Sequence, residues 1–366
     1  MADEQIINMK REWSVRTLRE GDEEGIYELW QAVYPLEQYD RASWLRWWRW
    51  KYRENPAGTG QIWVADHRGK IVGQDAFIFM QMKVGNEILK ACQNVDLVIH
   101  PDYRYQSMFT TLAREALDEL GKQAVHITIG FPNEAAIPGH KKSGWFDIAT
   151  MKIMLKPLNW KSVVRLKIRN RLLSEFLAVG ATLVFDKIFF RTREAPAVDG
   201  LAVAQVTSFD ERFDRLFARV SGQYPIMVVS NKDHLNWRFS APGKHYSIFA
   251  AEKANEVRGY LVLRDMILGN TKMTSVFYMI AESEEVMHCL VSAAEKVCQR
   301  AGVDRIVYSL IADRTYHRVL RRNGFISLPF RKGAYFCAYS SATQISKTFL
   351  QDPKNWLVQI GDSDAL

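Results

Sequence analysis

A pattern of residues that occurs twice limits what this chain can fold into more than any other feature. Trp50-Lys51-Tyr52, a Pro/Gly loop, Ile62-Trp63-Val64-Ala65 and Lys70-Ile71-Val72-Gly73 are answered later in the chain. Their counterparts are Trp237-Arg238-Phe239, Pro242-Gly243, Ile248-Phe249-Ala250-Ala251 and Glu256-Val257-Arg258-Gly259. The closing Lys142-Ser143-Gly144-Trp145 is echoed by Arg322-Asn323-Gly324-Phe325. Trp50 to Gly73 spans 23 positions and Trp237 to Gly259 spans 22, whereas Gly73 to Gly144 spans 71 and Gly259 to Gly324 spans 65, so the two series keep register until the middle, where the second loses several residues. Two copies of one αβ unit is the economical reading. Coincidence of common aromatic and glycine positions is the competing one. A chain of 366 residues, 48% of them hydrophobic, has material for two buried cores.

The first copy reads as alternating strands and helices. Trp13 to Leu18 alternates like an edge strand. Asp22 is placed to cap a helix with apolar positions Ile26, Leu29, Trp30 and Val33. Arg41 to Tyr52 reads as a second helix, dense in tryptophan. Ile62-Trp63-Val64-Ala65 and Lys70-Ile71-Val72-Gly73 read as strands joined at His67-Arg68-Gly69, and Ala76 to Val84 extends the sheet. Val95 to Ile99 is a short apolar run, stopped by His100-Pro101-Asp102 because proline cannot continue a ladder. Tyr103 to Phe109 then leads into a helix with Met108, Leu112, Leu117 and Leu120 near helical spacing. A strand that feeds a helix through a loop leaves amide donors unpaired at the helix start, and these donors suit an anion. Ala124 to Ile129 is a further strand, a second helix is expected to start after Pro138, and Lys152 to Leu155 is expected to close this domain.

The formal charge of +8 favours anionic partners without choosing among nucleotide cofactors, acidic proteins, nucleic acid or lipid head groups. Cys92, Cys289, Cys298 and Cys337 form no CxxC pair and no His/Cys metal cluster, so free thiols and no metal are expected. The start of the chain lacks a basic-then-apolar leader and no stretch has the length of a membrane span, which makes a cytoplasmic protein the expectation.

In the order of these landmarks the chain resembles the GCN5-related N-acetyltransferase (GNAT) superfamily. That family's fourth strand ends in a Val/Ile-x-Pro-like step, here Ile99-His100-Pro101. A loop of pattern Arg/Gln-x-x-Gly-x-Gly/Ala follows, here Arg104-Tyr105-Gln106-Ser107-Met108-Phe109. A later Asn precedes an aromatic and a Gly-aromatic pair, here Asn133, His140 and Gly144-Trp145. The resemblance covers about residues 13–158 and, more weakly, about 200–340. It implies an α/β fold of two tandem GNAT-like mixed-sheet domains joined by a basic helical linker. The expected divisions are an N-terminal, acyl-CoA-binding catalytic domain over 1–159, the linker over 160–199, a degenerate C-terminal copy over 200–345 and a tail over 346–366. Both family glycines are replaced, by Ser107 and Phe109, which leaves open whether the loop still accepts a pyrophosphate.

The resemblance implies transfer of an acyl group from acyl-CoA, with acetyl-CoA as the expected donor, straight to an amine. Backbone amides of Arg104, Tyr105, Gln106, Ser107, Met108 and Phe109 would meet the pyrophosphate. The strand edge at Leu97, Val98 and Ile99 would pair with the pantetheine amides and supply an oxyanion donor near Val98 or Ile99. Asn133 would bond a pantetheine amide. His140 stands where the family often has a Tyr and could protonate the leaving thiolate. Asp96 is the best acidic candidate for a general base, with His126 and Glu134 as spares. Gln93 and Asn94 could position water, and Cys92 is a remote nucleophile candidate.

In the second copy the equivalent strand, Thr274 to Ile280, is followed by Ala281-Glu282-Ser283-Glu284-Glu285-Val286. Three carboxylates there would repel a pyrophosphate. The basic, apolar stretch over 160–193 could lie on an anionic membrane, dock an acidic carrier protein, or pack between domains. The expected acceptor is a small amine such as an amino sugar or amino acid, with no nucleic acid. Two alternatives stand beside this: a Fem-type aminoacyl-tRNA-dependent transferase, or a non-catalytic binding module on a decayed acyltransferase.

Overall fold

The computed structural model describes residues 12–34, 40–159, 198–269, 271–312, 314–328 and 335–364. The basic segment over 160–193 lies outside the described residues. The first series of elements is β1 (Ser14–Thr17), α1 (Glu23–Val33), α2 (Arg41–Tyr52), β2 (Gln61–His67), β3 (Lys70–Val84) and β4 (Glu87–Ile99). It continues with a single 3-10 turn, then α3 (Met108–Lys122), β5 (Ile127–Gly130), α4 (Ile137–Lys142), β6 (Phe146–Thr150) and β7 (Lys152–Pro157). The second runs β8 (Ala202–Val206), α5 (Glu211–Val220), β9 (Ile226–Val228), α6 (Lys232–Arg238), β10 (Ser247–Lys253), β11 (Glu256–Leu268) and β12 (Thr271–Ala281). It ends with α7 (Glu284–Arg300), β13 (Arg305–Ile311), α8 (Arg314–Arg322), β14 (Ile326–Ser327), β15 (Tyr335–Ser340), α9 (Lys347–Gln351) and β16 (Trp356–Gln359). The fold is mixed α/β, and it divides into two compact units.

Unit 1 comprises Met1–Gln81, Lys90–Asp147 and Cys337–Gln344. Its strands lie in the order β1-β2-β3-β4-β5-β15-β6. β4 and β5 are parallel, and their pairing ends at Asn94↔Gly130. Past that point the two strands part, and no strand among the described residues pairs with β4 on that side. On one face of the sheet, Leu112, Ala116, Leu117 and Leu120 of α3 bury against Trp63, Ala65, Val72, Phe77 and Phe79. This is the apolar face set by helical spacing against strand alternation.

Three local expectations change. β3 is one strand of 15 residues rather than two. Gly73 does not break it; it clears space for the Met108 sulfur, which a Cβ there would meet at 2.6 Å. The Asp22 carboxylate does not cap α1, because it is taken by the Arg16 guanidinium (2.6 and 3.0 Å) and by the Arg19 amide (2.6 Å). Lys152 to Pro157 does not close unit 1.

Unit 2 comprises Met82–Leu89, Ile148–Phe336 and Ile345–Leu366. β7 lies here, between β13 and β14 and antiparallel to both. The matching place in unit 1, between β5 and β6, is taken by β15 from the far end of the chain. Alternating strands carry no local signal for which edge they join, so this reciprocity is decided by chain length and connection rather than by their own sequence. β12 and β13 run parallel as far as Val276↔Tyr308 and then part. Here the gap is filled: β16 pairs with β13 at Leu310 and Ile311, and the Gln359 side-chain oxygen accepts from the Met279 amide of β12 at 2.7 Å.

Candidate active site

The parting of β4 from β5 sets the site. Asn94 is the last residue of β4 paired with β5, and Val95 to Ile99 continue beyond it without a partner strand on that side among the described residues. Among them Leu97 and Ile99 are half-buried and Val98 is buried. Asp96 bends the strand here, with φ of 48°, a left-handed value that non-glycine residues seldom adopt. The bend is held by side chains. The Asp96 carboxylate Oδ2 accepts from Lys51 Nζ at 2.8 Å and from the Tyr52 hydroxyl, both on α2. Its backbone carbonyl accepts from Gln74 Nε2 at 2.8 Å. Lys51 is only 2% exposed, so this is a buried ion pair. Asp96, expected as a base, is therefore occupied by an ammonium and a phenol.

The loop after β4 keeps a shape that its sequence does not advertise. Pro101 to Tyr103 make one 3-10 turn, and Tyr105 and Ser107 then have φ of 64° and 58°. Left-handed residues are the domain of glycine, yet here a tyrosine and a serine hold them. Ser107 thus takes a left-handed state that glycine adopts without strain. Ser107 is the N-cap of α3 without a side-chain capping bond, and the first intrahelical bond is Thr111 N–H to the Ser107 carbonyl at 3.0 Å. The amides of Met108, Phe109 and Thr110 therefore have no intrahelical acceptor. Arg104, Tyr105, Gln106 and Ser107 are exposed. Met108 is core, so it can serve an anion only through its backbone. The Phe109 ring is turned away from the loop onto α4: a Cβ at Gly139 would lie 2.6 Å from it. The residue that replaces the second family glycine is thus accommodated by a glycine 30 positions on.

On α4, His140 is 6% exposed and both of its ring nitrogens have partners. Nδ1 is 3.0 Å from the Ala136 carbonyl and Nε2 is 3.1 Å from Asn94 Oδ1. The ring stands edge-on between Phe109 (5.1 Å) and Trp145 (4.8 Å). Burial pulls its pKa below the ordinary imidazole value, against the opposing pull of the Ala136 carbonyl. Behind it Asn94 Nδ2 donates to Asp75 Oδ1 at 2.5 Å and to the Ala76 carbonyl at 3.3 Å. Asn133 is exposed, and its Oδ1 accepts from the Ala136 amide at 3.0 Å. Cys92 is fully buried against Thr128 Oγ1, and burial pushes its thiol up to about 12, which keeps it a packing residue near neutrality. His126 faces Ser341 at 3.2 Å, and Glu134 is exposed.

The structure thus gathers Asn94, His140 and Phe109 in one place, with Asp96 and its α2 partners on the bent part of β4. Sequence reasoning missed Asp75, Lys51 and Tyr52. Asp75 had a signal, since it is the one acidic residue in β3. A cleft of about 640 Å³ lies elsewhere in unit 1, along the C-terminal half of α3 and the start of β2, with Arg16, Gln61, Glu115, Asp118 and Lys122 in its lining. None of the expected site residues lines it.

Residues 14–146 match the family described as the acetyltransferase (GNAT) domain. No curated protein matches the sequence. Among solved structures, the chain is similar to a GCN5-related N-acetyltransferase from Anabaena variabilis. That one is 12% identical, with 89% of this chain and 72% of that one covered and a TM-score of 0.61. A conserved protein of unknown function from Enterococcus faecalis, titled a probable N-acyltransferase, is 12% identical over 92% of this chain and 74% of that one, with a TM-score of 0.64. Saccharomyces cerevisiae N-myristoyltransferase with bound myristoyl-CoA is 11% identical over 90% and 79%, with a TM-score of 0.57. At such identities the likeness is one of fold.

Proposed function

We propose that this chain, a GNAT-fold protein whose GNAT domain spans residues 14–146, transfers an acyl group from acyl-CoA directly to an amine, with acetyl-CoA as the donor and a small primary amine as the acceptor. One observation carries the reading. The same parting of two parallel strands occurs in both units; in unit 2 it is filled by β16, and in unit 1 no strand among the described residues fills it. The second unit, read as a degenerate copy of the first, closes its own gap and leaves one acyl-CoA site per chain.

The amides from Arg104 to Phe109, with the positive end of α3, suit a diphosphate. The left-handed Ser107 preserves the loop shape that glycine would give, and Phe109 lies against Gly139. These two facts support a working loop over a decayed one. The unpaired edge of β4 at Leu97, Val98 and Ile99 suits a pantetheine added like a strand, with Asn133 nearby in sequence to α4 as a further partner. Acyl-CoA supplies an activated thioester carbonyl. The C–N bond forms as the C–S bond breaks, the attacking nitrogen gives up one proton and the departing sulfur takes one. His140 is the proposed carrier of the sulfur's proton. Asp96 is the proposed acidic group on the acceptor side, its carboxylate held by Lys51 and Tyr52. Bringing nitrogen and carbonyl together supplies most of the rate.

Calorimetry of the full chain with acetyl-CoA is expected to give one binding site, and a panel of amines is expected to release free thiol. Absence of coenzyme A binding would overturn the reading. Binding without thiol release for any amine would reduce it to a binding module.

A further inference from the structure

Asp75 is an acid with 0% exposure and one unpartnered carboxylate oxygen, Oδ2, among the apolar residues of β3. A buried carboxylate needs a counter-charge or a proton. Its bonded neighbour is Asn94, and the orientation of the Asn94 amide is fixed by what surrounds it. Nδ2 faces two acceptors, Asp75 Oδ1 at 2.5 Å and the Ala76 carbonyl at 3.3 Å. Rotating the amide would set its oxygen against that carbonyl. Oδ1 therefore faces His140 Nε2 at 3.1 Å, and an acceptor there requires a hydrogen on Nε2. On the other side of the ring Nδ1 faces the Ala136 carbonyl at 3.0 Å, a second acceptor that requires a second hydrogen. Two N–H groups make an imidazolium.

We propose that Asp75 and Asn94 are positioning residues for His140: the carboxylate, acting through the amide, keeps the imidazole doubly protonated beside the parting of β4 and β5, where it holds a proton for the departing sulfur. The chemical use of that proton rests on the acyltransferase reading; the proton itself does not. Burial pushes Asp75 up to about 7 and pulls His140 down, so burial opposes the charge on both. Joined through one amide, each is the other's counter-charge. The remaining titratable groups on the surrounding elements do not compete. On β4, Cys92 is neutral, and the Asp96 carboxylate is paired with Lys51 Nζ at 2.8 Å. On α3, Arg114 is exposed and donates to the Lys142 carbonyl at 3.0 Å. On α4, Lys141 is exposed and pairs with Asp147 at 2.7 Å, and Lys142 is exposed. On β15, burial raises the Cys337 thiol far out of range, and Tyr339, facing Trp145, is also raised.

The test is the nitrogen NMR spectrum of the full chain labelled at histidine, with the His140 signal identified by its loss in His140→Gln. In the wild type near neutral pH both ring nitrogens are expected to carry hydrogen. In Asp75→Asn the ring is expected to become neutral. The swapped variant, Asp75→Asn with Asn94→Asp, moves the carboxylate next to the ring and is expected to restore the imidazolium. A neutral His140 in the wild type overturns the proposal even if Asp75→Asn does not fold; so does an imidazolium that survives Asp75→Asn, or one that the swap fails to restore. Where the chain proves active, kcat should fall about 100-fold in Asp75→Asn with KM for acyl-CoA unchanged, and recover in the swap. If no acyl transfer is found at all, the spectra still decide the proton arrangement.

Discussion

Phe109 occupies a family glycine position, and its fit against Gly139 can be measured. A Cβ built on Gly139 lies 2.6, 2.6 and 2.7 Å from three carbons of the Phe109 ring. Carbon atoms prefer about 3.5–4.0 Å, so Gly139→Ala forces the ring back by about 1 Å. Overpacking of this kind costs about 1–3 kcal/mol. Alanine is the better helix former by about 1 kcal/mol, which partly offsets that cost in the single variant. The decisive quantity is therefore the coupling rather than the single change. In a Phe109→Ala background the clash is gone and Gly139→Ala should show only its helix gain. A double-mutant cycle by urea unfolding, followed through tryptophan fluorescence with m-values compared, should give a coupling of about 1–3 kcal/mol, the double variant being more stable than the sum of the singles. Acetyl-CoA affinity should weaken in Gly139→Ala, where the ring is driven toward the loop, and recover in the double variant. Additivity to within about 0.5 kcal/mol would refute the claim that Gly139 makes room for Phe109.

Further predictions address the rest of the site and unit 2. Asp96→Ala leaves the buried Lys51 ammonium without its carboxylate and should destabilise unit 1 by about 3–5 kcal/mol in denaturant titration, while Lys51→Met with Asp96→Ala should recover most of that loss. Ser107→Gly relieves a left-handed residue and should stabilise by about 0.5–1 kcal/mol after the greater freedom of glycine in the unfolded chain is counted; a loss of stability would show that the serine side chain itself matters. In unit 2, burial pushes Asp362 up to about 7, although Arg238 pulls the other way. A raised carboxyl binds its proton more tightly folded than unfolded, so its contribution is present below about pH 4 and is lost as pH rises through about 7. The stability of the wild type relative to Asp362→Asn should therefore fall across that window, by at most about 1.4 kcal/mol per pH unit, and a flat difference would contradict it.

Much of the scaffold was legible in the residues. α2 runs over Arg41–Tyr52 as its composition suggested, and α3 starts at Met108, directly after the loop that Pro101 and Asp102 begin. These features were readable because hydrophobic spacing, proline and helix starts act over a few residues. The candidate site was proposed from the sequence: Ile99-His100-Pro101, the loop and His140 were picked out by type and order. Their partners were not. Asp75 meets Asn94 across 19 positions, His140 meets Asn94 across 46, and Asp96 meets Lys51 and Tyr52 across 45 and 44.

The sequence alone determined the kind of most elements over residues 13–130 and the replacement of two loop glycines, and it suggested a repeated order of strands and helices. Only the tertiary structure decided that β15 lies beside β5 while β7 lies beside β13, that β16 fills one gap between strands, and that Phe109 turns onto Gly139. The reason is physical. A backbone dihedral or a buried face is chosen by neighbours a few residues away, whereas a strand edge, a counter-charge or a space for a ring is supplied by whatever the finished fold brings alongside.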